Sequence, residues 1–126
     1  MKNTPQALRQ AGVWLDQRAA VIITRDADDG EFVIQERLQA GGEQRGGSEH
    51  TVHSGKQADT LKYFKALAAL LAGYDGILVF GPGTLQEQFR NFLAEDTHFA
   101  HAKITLETAE HQTDPQMIAQ VRNFFT

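Results

Sequence analysis

The chain has 126 residues, 41% of them hydrophobic and 22% charged, with a formal net charge of −4 and no cysteine. That length suits one globular domain, residues 1–126, able to bury its own core. The missing cysteines exclude a disulfide framework, a thiolate zinc site and a thiol nucleophile. No apolar run approaches the roughly 18–20 residues of a membrane span, and residues 1–10 are polar where a signal peptide would be apolar, so a cytoplasmic protein without membrane contact is expected.

Residues 12–16 read as a short strand ending at Asp16, and residues 19–24 (AAVIIT) as a second one rich in β-branched side chains. An acidic turn with Asp26, Asp28 and Asp29 closes on Gly30, where a positive φ is cheap. Residues 31–38 (EFVIQERL) form the third strand of an antiparallel meander. Residues 39–55 carry no periodicity and are rich in Gly, Ser, His and charge, which predicts a flexible loop. From Lys56 a helix is expected, with Leu61, Phe64, Leu67, Ala68 and Leu71 as its apolar stripe and Gly73 as its stop.

The continuous run Ile77 to Phe80 suits a strand buried on both faces, broken by Gly81-Pro82-Gly83. Thr84 and Glu87 have the spacing of a capping box, opening a helix with Leu85, Phe89, Phe92 and Leu93 on one face. Residues 103–108 (KITLET) alternate like a strand. Asp114-Pro115 then supplies an N-cap and first-turn proline for a last helix with Met117, Ile118, Val121, Phe124 and Phe125 inward. The order βββ-α-β-α-β-α predicts an α/β fold of the ribonuclease H-like group. Its mixed sheet would have three antiparallel strands followed by two parallel ones.

The stretch Tyr74 to Leu93 (YDGILVFGPGTLQEQFRNFL) resembles the strand-Gly-Pro-Gly-helix signature of the middle domain of archaeo-eukaryotic class I peptide-chain release factors and Pelota. The order of elements before it is similar too, and the whole looks closest to stand-alone bacterial versions of that domain. The resemblance implies a translation module that contacts the ribosome or tRNA, without the flanking domains that read a stop codon. In that family the loop before the long helix carries Gly-Gly-Gln and promotes hydrolysis of the peptidyl-tRNA ester. Here it reads Gly41-Gly42-Glu43-Gln44-Arg45-Gly46-Gly47-Ser48. Matching Arg45-Gly46-Gly47 to the family pattern puts Ser48 at the glutamine, whereas matching Gly41-Gly42 puts Glu43 there and Gln44 one residue late. Neither register reproduces Gly-Gly-Gln.

The loop's own chemistry points the same way. Glycines let a backbone approach a ligand closely, and residues 37–65 hold Arg37, Arg45, Lys56, Lys62 and Lys65 against Glu43, Glu49 and Asp59 in an otherwise acidic chain. Candidate RNA or ribosome contacts are therefore Gly41, Gly42, Arg45, Gly46, Gly47, His50, His53 and Lys56. Gln44 and Ser48 are candidate catalytic residues if the loop hydrolyses an ester. Three readings stand open: a binding module, a peptidyl-tRNA or ester hydrolase, and a structural or oligomeric protein with a degenerate site.

No cofactor is expected. The pairs His50/His53 and His98/His101 lack the Glu of H-E-x-x-H and read as solvated, so no metal is expected either. The overall negative charge argues against DNA as a partner. Asp16 is the one acid at a strand end that could serve a metal-dependent nuclease, and the end of the fourth strand offers no second one.

Overall fold

Apolar residues dominate the three strands that form the middle of the sheet, and these are buried from their second residue onward. The computed structural model describes the backbone of residues 9–25, 30–40 and 52–126, and the side chains of these except 52–58. The elements are β1 (Gln10–Leu15), β2 (Ala19–Thr24), β3 (Val33–Gln39), α1 (Val52–Leu71), β4 (Gly76–Gly81), α2 (Leu85–Ala94), a 3₁₀ turn (Thr97–Phe99), β5 (Lys103–Thr108) and α3 (Asp114–Phe125). The sheet order is β3-β2-β1-β4-β5. β1–β2 and β2–β3 pair antiparallel, while β1–β4 and β4–β5 pair parallel, which is the mixed sheet expected from the sequence.

Alternation along the strands sorts the core into two layers. Ala11, Val13, Leu15, Ala20, Ile22, Ile77 and Val79 face α1 and α2, whose Phe64, Leu67, Leu71, Phe89 and Leu93 cover them. Trp14, Val21, Ile23, Leu78 and Phe80 face the other way, against Met117 and Val121 of α3 and against Phe32. Every residue named in these two layers is buried. At roughly 1.5–3 kcal/mol for each fully buried large apolar side chain, these two layers dominate the stability of the fold.

Several boundaries differ from the sequence reading. α1 begins at Val52, so His53 and Gly55 are helical and the segment between β3 and α1 is shorter than residues 39–55. On α1 the stripe includes Tyr63, at 4% exposure, while Leu61 is 45% exposed. Tyr63 turns inward because its hydroxyl donates to the Asp16 carbonyl at 3.0 Å. Thr84 is the N-cap of α2 but makes no side-chain cap bond, because its ψ of −2° is not the extended geometry that aims the hydroxyl back at the helix. The capping box belongs to α3 instead. There Thr113, not Asp114, is the N-cap, and it exchanges bonds with Gln116. The turn at residues 26–29 lies outside the described residues.

Candidate functional site

β1, β4 and β5 run parallel, so their C-terminal ends and the turns that follow gather at one end of the sheet. In open α/β sheets that end is where ligands bind. β1 ends in Asp16, β4 in Gly81-Pro82-Gly83, and β5 leads through Ala109 and Glu110 to His111. These turns enclose an open cleft of about 610 Å³ lined by Asp16, Arg18, Pro82, Gly83, Thr84 and His111, among others.

Asp16 is fixed on every side. Its Oδ1 accepts the backbone N–H groups of Arg18 at 2.8 Å and Ala19 at 2.9 Å, which closes the β1–β2 turn, and its own N–H donates to the Ala19 carbonyl at 3.0 Å. Its Oδ2 lies 3.0 Å from His111 Nε2. Burial pushes this carboxyl up, but the Arg18 and Ala19 amides together with His111 outweigh it and hold the group below its ordinary value. Tyr63 is shifted in the opposite direction, raised by burial first and by the Asp16 charge second. Behind the pair, the Trp14 ring lies 5.4 Å from the His111 ring, and its Nε1–H donates to the Glu110 carbonyl at 3.4 Å. Trp14 is 5% exposed, a core position with a satisfied N–H.

The facing wall depends on glycine. A Cβ on Gly81, whose φ is +153°, would stand 2.3 Å from the Leu15 carbonyl oxygen, so the end of β4 could not approach β1 with any other residue there. Gly83 has φ +70° and open space where a Cβ would go. Beyond it, Thr84 is exposed, its hydroxyl unused by the α2 cap.

Gly41, Gly42, Gln44, Arg45, Gly46, Gly47, Ser48 and His50 lie outside the described residues, and His53 and Lys56 are described only as backbone of α1. What is described is where that segment leaves the sheet. Gln39 pairs with Ala19, and the Ala40 N–H donates to the Arg18 carbonyl at 2.8 Å. The last described residue before the Gly-rich segment, Ala40, is therefore tied to the β1–β2 turn that holds Asp16.

His98 and His101 do not form a joint site. His98 Nδ1 is 2.8 Å from Asp96, which also caps the 3₁₀ turn, and His101 Nε2 is 3.9 Å from Asp75. Asp75 precedes β4, so the second contact is at the end of the sheet opposite the cleft. Among the described residues no group of three or more His, Cys, Asp or Glu is placed to hold a metal ion, and no helix is long and apolar enough to cross a membrane. Sequence reasoning found Asp16 but missed Arg18, Thr84 and His111. The one available signal was that His111 follows a strand on the same side of the sheet as Asp16.

No protein-family model matches the chain, and no curated protein matches its sequence. Solved structures do share its fold. Pelota from Archaeoglobus fulgidus superposes with a TM-score of 0.63 at 12% identity, over 94% of this chain and 32% of that one. Pelota from Thermoplasma acidophilum gives 0.61 at 16% identity, over 90% and 31%. The archaeal translation termination factor aRF1 gives 0.51 at 13% identity, over 93% and 39%. The chain thus spans between 31% and 39% of the length of these proteins and has the fold of their middle domain, as its strand-Gly-Pro-Gly-helix segment suggested.

Proposed function

We propose that this chain is a translation module of the release-factor and Pelota middle-domain type, directed at the ribosome or tRNA, with residues 41–48 as its contact element. The observation that carries the reading is the shared fold with two Pelota structures and aRF1 over at least 90% of this chain. The sequence adds that the Gly-rich stretch follows the third strand and precedes the long helix, the place of the family's functional loop. Gly41, Gly42, Gly46 and Gly47 let the backbone lie close to RNA, Arg45 and Lys56 supply positive charge, and His50 and His53 add hydrogen-bonding rings. Contact is favoured over hydrolysis by Gln44 or Ser48, because the segment contains no Gly-Gly-Gln.

Co-sedimentation with ribosomes and filter binding to tRNA, each at low and high salt, test the proposal. Binding should weaken with salt and fall in an Arg45→Glu/Lys56→Glu double variant. Failure to bind ribosomes or tRNA at low salt would sink it. Release of the peptide from peptidyl-tRNA that is lost in Gln44→Ala or Ser48→Ala would instead establish the hydrolase.

A further inference from the structure

Three side chains in the cleft at the strand ends keep polar atoms that no contact among the described residues uses. The Arg18 guanidinium is exposed and makes no ion pair or side-chain hydrogen bond among the described residues. The Thr84 hydroxyl is not spent on its helix. His111 has Nε2 held by Asp16, which leaves Nδ1 as the ring nitrogen without a protein partner among the described residues. All three line the same cavity, where Asp16 already has its oxygens engaged by two amides and an imidazole.

We propose that this cleft binds a phosphate group, held by Arg18, Thr84 and His111. A guanidinium is the side chain whose planar fork matches phosphate oxygens, and a hydroxyl donates a further bond. His111 Nδ1 donates to a phosphate oxygen as imidazolium, or accepts from a protonated phosphate oxygen as the neutral ring. Asp16 takes no part in contact with the ligand. Its two amide bonds fix the carboxylate, and the carboxylate fixes the imidazole, so the ring is oriented before a ligand arrives. The cavity is far larger than one phosphate, which leaves room for the rest of an ester. The phosphate is either that of a small molecule, such as a mononucleotide, or that of an RNA backbone. The proposed ligands Arg18, Thr84 and His111 are not among residues 41–48, and the proposal does not depend on the ribosome reading.

Amide chemical shifts followed during titration with inorganic phosphate, adenosine monophosphate and a short RNA oligonucleotide test the site. The Arg18, Thr84 and His111 signals should move together and saturate. Arg18→Gln and His111→Gln should each weaken binding roughly tenfold or more, the cost of one charge-assisted bond. Lys103→Gln, at the opposite end of the sheet, should leave binding unchanged. Saturation by the mononucleotide at lower concentration than by the oligonucleotide assigns a small ligand, and the reverse order assigns an RNA backbone. Scattered shifts with none of the three ligands saturating, or equal weakening by Lys103→Gln, would overturn the proposal. Loss of ribosome co-sedimentation with the titration intact would overturn the translation reading and leave the phosphate site standing.

Discussion

Asp16 and His111 are 95 positions apart in the chain and meet at 3.0 Å, joining the turn after β1 to the segment after β5. No backbone pairing connects these two turns directly, since β4 lies between their strands. The side-chain contact therefore ties together the two outer walls of the cleft.

The first prediction concerns acid. The folded pKa of Asp16 lies below its ordinary value of 3.8, so its contribution to stability is complete above that value and is lost as the pH falls through the folded pKa. Asp16→Asn should lower stability at neutral pH by about 1 kcal/mol. It should also make the loss of stability on acidification shallower than in the unaltered protein. Urea denaturation at a series of pH values measures both. Parallel curves for the two proteins would show that the carboxylate charge contributes nothing.

Gly81→Ala and Gly83→Ala separate contact from conformation. At Gly81 the added methyl collides with the Leu15 carbonyl on rigid backbone, and the φ of +153° is already unfavourable. We expect a loss above about 3 kcal/mol, or failure to fold. At Gly83 only the φ of +70° opposes the substitution, and the loss should be about 1–2 kcal/mol. Chemical denaturation midpoints check the order.

The two helix caps give a contrast within one residue type. Thr113→Ala removes a hydroxyl that accepts the Gln116 N–H and should cost about 1 kcal/mol. Thr84→Ala removes a hydroxyl that caps nothing, and stability should change by less than about 0.5 kcal/mol. Equal losses in thermal melts would show that Thr84 is a cap after all.

Gln86 is 1% exposed, and its Oε1 has no hydrogen-bond partner among the described residues. Burying an unpaired acceptor costs about 1–3 kcal/mol, so Gln86→Met, of similar length and wholly apolar, should be neutral or stabilising. A destabilised Gln86→Met variant in urea unfolding would mean that the amide is needed where it is.

Much of the fold could be read from the chain because its periodicities are clean. The runs AAVIIT and KITLET and the apolar stretch before Gly81 named their strands, and the phenylalanines of α2 marked its buried face. The start of α1 was misread because His53, Ser54 and Gly55 are poor helix formers and supply no apolar stripe. A 20-residue helix tolerates such a first turn. Leu61 and Tyr63 both lie at the margins of the stripe, and only the tertiary contact of Tyr63 with Asp16 decides which turns in. The site was less legible for a related reason. Asp16 could be singled out as an acid at a strand end, but His111 sits in an aperiodic stretch and gains its partner only through the sheet order. Thr84 has the sequence of a capping residue, and only its dihedral angles reveal that the hydroxyl does not cap the helix.

The hydrogen bond from Ala40 to the Arg18 carbonyl also has a mechanical consequence. It is the last described point at which the chain is anchored before residue 41. Tension applied there along the strand axis would load the β2–β3 ladder in shear, since antiparallel hydrogen bonds lie across that direction. Tension applied across it would first peel Ala40 from Arg18, and so reach the turn that holds Asp16. The direction of a pull on the chain at Ala40 thus decides whether the cleft at the strand ends feels the load.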